Sequence, residues 1–268
     1  MSLHTQTEGV GRDLVLVHGW GLGSSVWSET AQALAQNFRV TRIDLPGYGQ
    51  SAMLNNNSLA TLTELALNAA PARAIWMGWS LGGLVAMQAA LSQAQRISGL
   101  ILIASTPRFM RSADWQAGVD AQILEKFTHD LEADYASTIK RFLALQTRGS
   151  ERAQNALRRL NAQLRTHGQP AADTLRNGLA ILRDTDLRAQ LMRIICPVLI
   201  IAGRHDTLAP LAAAERLAIM LKSAQLHIIP GAGHAPFISH PQEFLLAVNE
   251  FINEQSPTDS YAGAASAR

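Results

Sequence analysis

The sequence has little of what marks a secreted, membrane-spanning or nucleic-acid-binding protein. It has one cysteine among 268 residues, so no internal disulfide can form. Its net charge of +2 is too small to indicate a nucleic-acid-binding protein. No apolar run reaches the roughly 18 residues of a membrane span, and the N-terminal segment MSLHTQTEGVGRD lacks the apolar core of a signal peptide. We therefore expect a cytoplasmic protein that binds neither nucleic acid nor membrane. We also expect a monomer, although no feature of the sequence determines the oligomeric state.

Short apolar runs alternate with amphipathic stretches along most of the chain. With 47% hydrophobic residues, the chain can bury a sizeable core. The alternation predicts an α/β fold, with a mostly parallel sheet covered by helices on both faces. The predicted strands cover residues 14–19, 40–45, 74–79, 97–105, 197–203 and 224–230, and the predicted helices cover 25–36, 58–70, 81–93, 210–222 and 241–254. The lone cysteine, Cys196, precedes one of these strands and is predicted to be a packed thiol.

The alternation is interrupted in the middle of the chain. Residues 107–190 contain no convincing strand, and their apolar positions recur at helical spacing. We predict a helical lid of residues 107–190, inserted in a core formed by residues 1–106 and 191–254. Residues 255–268 are small and polar, and we expect a disordered tail.

The segment Gly78-Trp79-Ser80-Leu81-Gly82 has the pattern G-x-S-x-G between a predicted strand and a predicted helix. In that context the pattern is typical of a sharp turn that lifts a nucleophilic serine above the sheet edge. The alternative is a serine that caps a helix beside packing glycines. The choice between the two depends on whether a base and an orienting carboxylate accompany the serine.

Asp206 and His234 follow Ser80 in the order serine, acid, histidine that this type of hydrolase uses. Each comes directly after a predicted strand, so both are expected at the sheet edge that carries Ser80. A triad of Ser80, His234 and Asp206 is therefore predicted, with the histidine as base. His205 is a rival base, but it is too close in sequence to face the carboxylate of Asp206.

Acyl transfer also needs hydrogen-bond donors where negative charge develops. We predict the backbone N–H groups of Leu81, directly after the nucleophile, and of Trp20, in the loop HGWG that follows the first predicted strand. His18, in the same loop, is expected to brace it through hydrogen bonds. The remaining histidines form no cluster with metal-ligand spacing, so we expect neither a metal nor another cofactor.

These residues, together with the segment DLPGYGQS, resemble the α/β-hydrolase superfamily over residues 13–254. Within it, the segments LVLVHGWGL, AIWMGWSLGGLVA, RFLALQT and GHAPFISHP are similar to the pimeloyl-[acyl-carrier protein] methyl ester carboxylesterases of biotin biosynthesis. RFLALQT carries most of this narrower resemblance, because it lies within the predicted lid, where related hydrolases differ most.

The resemblance implies hydrolysis of the methyl ester of pimeloyl-[acyl-carrier protein], with release of methanol and a free carboxylate. It implies an acyl carrier protein as the partner that presents the substrate. The substrate-binding residues that it implies are Trp20, Ser80, Leu81, His234 and the lid residues Phe142, Leu143, Ala144, Leu145 and Gln146.

The predicted lid has an uneven charge. Residues 140–165 hold seven cations and one anion, whereas residues 107–134 hold three cations and six anions. Since acyl carrier proteins are acidic, we interpret the basic part as a docking surface. Its candidate residues are Lys140, Arg141, Arg152, Arg158 and Arg159. Ser137 and Gln154 stand where the resemblance would place arginines, so the docking contacts are expected to differ in detail.

Three other functions fit the same motifs. A carboxylesterase for small free esters and a C–C bond hydrolase share this fold and triad, and the apolar FLAL segment argues weakly against the C–C hydrolase. A ligand sensor could retain the fold, but such proteins often lose a triad member and this sequence has all three. Ser80 in place of a nucleophilic aspartate excludes a dehalogenase.

Overall fold

A computed structural model describes residues 2–54, 57–146 and 170–255. At its centre is a seven-stranded sheet. The strands are β1 (Thr5–Glu8), β2 (Arg12–Val17), β3 (Phe38–Ile43), β4 (Ala74–Trp79), β5 (Ile97–Ile103), β6 (Val198–Gly203) and β7 (Ala224–Ile229).

Helices precede and follow these strands. They are α1 (Ser28–Leu34), α2 (Leu59–Ala69), α3 (Leu81–Ser92), α4 (Ala121–Ala133), α5 (Tyr135–Gln146), α6 (Ala172–Asp184), α7 (Leu211–Met220), α8 (Pro236–Ser239) and α9 (Pro241–Glu254), with short 3₁₀ helices at Ser24–Trp27, Ala94–Arg96 and Arg188–Arg193. The helix α3 is buried on nearly all sides, which matches its almost wholly apolar and small composition, LGGLVAMQAALS.

The sheet is parallel except at one edge. Its strand order is β1-β3-β2-β4-β5-β6-β7, and only β1 runs antiparallel to its neighbour, β3. Every residue of β4 and of β6 is buried, as expected for parallel strands covered on both faces. The predicted α/β architecture with a mostly parallel sheet is confirmed. The sequence analysis missed β1, a short and largely polar edge strand.

The order of the strands reverses at β2, and this reversal determines where a site can form. β2 pairs with β3 on one side and with β4 on the other. After β2 the chain continues to β3, toward one edge of the sheet, and after β4 it continues to β5, toward the other edge. Open α/β sheets bind their ligands at such a reversal, beyond the carboxyl ends of the strands. The loop that carries Trp20 and the turn that carries Ser80 follow these two strands.

Residues 107–190 connect β5 to β6. Their described part contains α4, α5, α6 and the start of the 3₁₀ helix Arg188–Arg193. Its strand-like pairing consists of two isolated bridges, Met110 with Val119 and Ser112 with Trp115. We refer to residues 107–190 as the insertion.

Candidate active site

Ser80 occupies a strained turn between β4 and α3. Its φ of 53° and ψ of −115° lie outside the regions that residues with a side chain normally adopt. Three hydrogen bonds hold this conformation: the Ser80 N–H donates to the Ile103 carbonyl (3.0 Å), and the Ser80 carbonyl accepts from the Gly83 N–H (2.9 Å) and the Ser105 hydroxyl (2.8 Å). Such retained strain is typical of a functional turn. A serine that merely caps a helix would not need it.

The glycines of the motif are required for space. A Cβ at Gly78 would collide with the Gly82 carbonyl, and one at Gly82 would collide with the carbonyl of Val17 at the end of β2. A Cβ at Gly83 would meet the side chain of Ser105. The turn can therefore approach β2 and β5 only because these positions lack side chains. Ser105, whose hydroxyl supports the turn, was not identified from the sequence.

Asp206 and His234 lie together in the structure. Asp206 follows β6, and its Oδ1 accepts hydrogen bonds from the Leu208 N–H (2.8 Å) and the Ala209 N–H (2.9 Å). Its Oδ2 lies 2.8 Å from Nδ1 of His234, and both side chains are only 1% exposed. Because a carboxylate only accepts, Nδ1 carries the proton and Nε2 is the basic nitrogen of the neutral ring.

His234 is placed by the loop after β7 and by Trp79. The indole N–H of Trp79 donates to the His234 carbonyl (2.7 Å), and the two rings lie 5.6 Å apart between centroids. His234 and Ser80 line the same cavity. The rival base, His205, is exposed to solvent.

The loop after β2 is organised by His18, which is fully buried. Its Nδ1 lies 2.7 Å from the Gly19 carbonyl, and its Nε2 lies 3.0 Å from the backbone N–H of Leu45. The ring must therefore donate through Nδ1 and accept through Nε2, which is the neutral form. Burial lowers the pKa of His18 more than the nearby Asp44 raises it, so this form persists.

The hydrogen bond from His18 orients the peptide unit between Gly19 and Trp20. In a planar trans peptide, the carbonyl and the N–H point in opposite directions. Since the Gly19 carbonyl points to His18, the Trp20 N–H points away from that ring. None of the described residues accepts a hydrogen bond from the backbone N–H of Trp20 or of Leu81. Both groups remain available as donors.

The cavity above Ser80 is apolar. It is lined by Trp20, Trp79, Ser80, Phe109, Met110, Val119, Ile123, Leu124, Phe127, Leu179, Leu182, Leu208 and His234. Among the described lining residues, Ser80 and His234 have the polar side chains. Of the eleven others, eight belong to the insertion. The site can therefore take a hydrophobic chain that ends in a reactive carbonyl group.

Of the predicted substrate-binding residues, some line the cavity and others do not, or have side chains outside the described part of the chain. Trp20 lines the cavity, and Leu81 is fully buried at the start of α3. The backbone of residues 142–146 forms the end of α5, but their side chains lie outside the description. The lining residues of α4 and α6 were not identified from the sequence, because an apolar stripe on a helix looks the same whether it faces a core or a cavity.

The predicted docking residues are described only in part. Lys140 and Arg141 are exposed on α5, and Arg141 donates to the Thr138 hydroxyl (3.1 Å). Arg152, Arg158 and Arg159 lie outside the described residues.

Metal binding and thiol chemistry are the two other kinds of reactivity that the side chains could provide. Within the described ranges, no group of three or more His, Cys, Asp or Glu side chains could hold a metal ion. Cys196 is partly buried against the core, and burial raises the pKa of its thiol to about 11, which makes it a poor nucleophile. In the part of the chain that the structure covers, no helix is long and apolar enough to cross a membrane.

Sequence comparison agrees with this fold and site. A profile of the alpha/beta hydrolase family matches residues 14–248, and the chain belongs to that family. The chain is 48% identical to the pimeloyl-[acyl-carrier protein] methyl ester esterase of Serratia marcescens, with 94% of this chain and 98% of the other aligned. The enzymes of that name from Edwardsiella ictaluri (45% identity; 95% and 99% aligned) and Nitrosomonas europaea (42%; 91% and 97%) are similarly related. The resemblance proposed from the sequence motifs is confirmed.

Solved structures show the same fold. A hydrolase from Pseudomonas aeruginosa superposes with a TM-score of 0.77 at 30% identity, covering 93% of this chain and 94% of the other. An esterase from Exiguobacterium antarcticum superposes with a TM-score of 0.85 at 20% identity, covering 94% and 95%. Since the esterase from Exiguobacterium antarcticum is only 20% identical, its superposition shows a shared fold alone.

Proposed function

We propose that the protein is a serine carboxylesterase of biotin biosynthesis that hydrolyses the methyl ester of pimeloyl-[acyl-carrier protein] to methanol and free pimeloyl-[acyl-carrier protein]. The observation that carries this proposal is one apolar cavity whose polar side chains are Ser80 and His234, with Asp206 bonded to the histidine. The near full-length similarity to esterases of that name supports the substrate.

In the proposed mechanism, Ser80 attacks the ester carbonyl while Nε2 of His234 takes the hydroxyl proton. Asp206 stabilises the imidazolium that forms. The oxyanion accepts hydrogen bonds from the N–H groups of Trp20 and Leu81. His234 then gives its proton to the departing methoxide, which leaves as methanol. A water molecule, deprotonated by the same nitrogen, hydrolyses the acyl-serine and restores Ser80.

The apolar cavity suits the pimeloyl chain. The scissile methyl ester lies at the end of the chain that is distant from the carrier, so the polymethylene segment must lie between Ser80 and the mouth of the cavity. Transfer of its five methylenes from water into an apolar lining contributes at most about 4 kcal/mol, at about 0.8 kcal/mol each. The described lining residues from the insertion are all apolar, whereas a C–C bond hydrolase would favour polar groups there to bind a dienoate substrate.

We propose that the acidic carrier docks on the basic part of the insertion. The exposed Lys140 and Arg141 of α5 support this, as does the excess of cations in residues 140–165. Docking there would place the carrier on the insertion, which contributes most of the described cavity lining.

We further propose that the insertion acts as a lid over the cavity. We also propose that the enzyme is cytoplasmic and monomeric.

The reaction is tested with the purified protein and methyl-pimeloyl-[acyl-carrier protein], with mass spectrometry of the carrier as the readout. We expect the carrier to lose one CH₂ unit in mass, and we expect Ser80→Ala to lose on the order of 10⁴-fold or more in kcat without unfolding. Retention of the methyl ester by the wild type would refute the proposed substrate. Equal kcat/KM for the carrier-bound ester and a small free methyl ester would favour a general carboxylesterase.

The docking surface is tested by a double charge reversal, Arg141→Glu with Arg158→Glu. We expect turnover of the carrier-bound ester to fall more than about tenfold, because repulsion replaces attraction at the interface. Turnover of a small free ester should stay nearly unchanged. The matched control is Arg73→Glu with Lys222→Glu, which alters the net charge equally. Both control residues are exposed and precede β4 and β7, at the sheet edge opposite Ser80. Equal losses in the two double variants would refute docking on the insertion.

A further inference from the structure

The insertion holds the loop that carries Trp20 and Gly21. The hydroxyl of Tyr135, the first residue of α5, donates a hydrogen bond to the Gly21 carbonyl (2.9 Å). One turn further along α5, Ile139 packs on the same residue, since a Cβ at Gly21 would lie 3.0 Å from the Ile139 Cδ1. Gly21 has a φ of +79°, a conformation that favours glycine. The start of α5 is thus seated directly on this loop.

The indole of Trp20 is held by α4 and α6, two further helices in the described part of the insertion. Its Nε1–H donates to the Leu175 carbonyl of α6 (2.9 Å). Its ring packs edge-on against Phe127 of α4, with centroids 5.2 Å apart. A Cβ at Gly178 of α6 would lie only 2.5 Å from the Cδ1 of Trp20, so the helix and the indole are in close contact.

The peptide unit before Trp20 and the peptide unit after Gly21 are therefore held from opposite sides. His18, in the core, binds the Gly19 carbonyl, and Tyr135, in the insertion, binds the Gly21 carbonyl. The His18 bond sets the direction of the Trp20 N–H. The Tyr135 bond, two peptide units further along, limits how far the loop that carries this N–H can shift. Burial raises the pKa of Tyr135, so its hydroxyl remains a donor throughout the working pH range.

We propose that Tyr135 is a positioning residue for the oxyanion hole, and that it links the seating of α5 to the alignment of the Trp20 N–H. This rests on the proposed oxyanion role of that N–H. The insertion would then do more than cover the cavity. When α5 is seated, the loop presents its donor to the developing negative charge. When α5 moves away, the loop loses one of its two anchors and the donor is no longer held in line.

The test is Tyr135→Phe, which keeps the packing of the ring and removes only the donor. We expect kcat for p-nitrophenyl butyrate to fall about 5- to 30-fold, a fraction of the loss reported for removing an oxyanion donor outright. We expect KM to stay within about twofold, because the interaction strengthens only in the transition state. The same factor should appear with acetyl and octanoyl esters, and in the inhibition constant of an alkylboronic acid, which mimics the tetrahedral state.

Thr138→Val is the matched control on the same helix. The Thr138 hydroxyl donates to the Asp130 carbonyl (2.9 Å) and accepts from Arg141 (3.1 Å), and both partners belong to the insertion. We expect this variant to keep the wild-type kcat and boronic acid affinity, even if it lowers the melting temperature. A second variant, Gly178→Ala, displaces the indole of Trp20 while it favours the helical state of α6, and it should also lower kcat.

Three results would overturn the proposal. Tyr135→Phe could leave kcat and boronic acid affinity unchanged, it could raise KM alone, or its loss could grow with acyl chain length, as a defect in chain binding would. Failure of the proposed function has a different signature: the wild type would not be labelled at Ser80 by a fluorophosphonate, and Ser80→Ala would retain esterase activity.

Discussion

The hydrogen bonds of Asp206 predict an inversion of the histidine tautomer when this residue becomes asparagine. Oδ1 accepts from two backbone N–H groups, those of Leu208 and Ala209. If the new NH₂ group faced these donors, two buried N–H groups would be left unsatisfied, at a cost of about 1–3 kcal/mol each. The amide oxygen of Asp206→Asn must therefore take the Oδ1 position, and its NH₂ group must face Nδ1 of His234.

An NH₂ group only donates, so Nδ1 becomes the acceptor and the proton moves to Nε2. In that tautomer His234 cannot take the proton of Ser80. We expect kcat for p-nitrophenyl butyrate to fall about 10⁴-fold, as when the orienting carboxylate of other triads is replaced in this way. Nitrogen-15 NMR of the imidazole should show the proton on Nδ1 in the wild type and on Nε2 in the variant.

Asp44→Asn is the matched control for this substitution. Asp44 is equally buried, and its two carboxylate oxygens accept from the N–H groups of Ser24 (2.6 Å) and Gln50 (3.0 Å). Either orientation of the new amide leaves one of these donors unsatisfied. The control should therefore lower the melting temperature without changing the tautomer of His234. If Asp206→Asn kept more than about a tenth of the wild-type kcat, the assigned role of Asp206 would be wrong.

Three further outcomes are expected. The pKa of His18 is lowered in the folded state, so its contribution to the free energy of unfolding is complete above about pH 6.5 and falls by up to about 1.4 kcal/mol per pH unit below it. Urea titrations should therefore show the difference between the wild type and His18→Asn shrinking from pH 7.5 to pH 5. Leu124→Trp should reduce kcat/KM for octanoyl esters about tenfold or more and spare acetyl esters, because the indole occupies part of the cavity. Cys196 should react slowly with iodoacetamide at pH 8, and its alkylation in native protein should not inhibit.

The central strands of the sheet could be predicted from the sequence better than the ends of strands and the edge strand β1. Fully buried strands such as β4 and β6 consist of unbroken apolar runs, and these are recognisable without a structure. β2 begins at Arg12, two residues before the predicted start, because the strand extends through two charged residues at the end where it pairs with β3. The edge strand β1 has no apolar run, because its two middle residues, Gln6 and Thr7, are exposed to solvent.

The nucleophile turn could be predicted because Gly78, Ser80 and Gly82 lie within five residues of one another. The pattern is local even though Gly82 is needed for the close approach to Val17 of β2. The groups that support the turn from elsewhere leave no such pattern. The hydroxyl of Ser105 bonds the Ser80 carbonyl across 25 positions, and Tyr135 reaches Gly21 across 114. A serine or a tyrosine has no sequence pattern that reveals a partner at such a distance.

Two buried imidazoles, those of His18 and His234, flank the candidate site. Their hydrogen-bond partners differ, and this difference suits them to different roles. Nε2 of His18 accepts from the Leu45 N–H, so a proton added to this ring would face a donor and would lack an acceptor. Nδ1 of His234 instead donates to a carboxylate, that of Asp206, and the ring lines the cavity together with Ser80. His18 is therefore suited to remain neutral and to hold a peptide in place. In the proposed mechanism, His234 gains and loses a proton in each catalytic cycle.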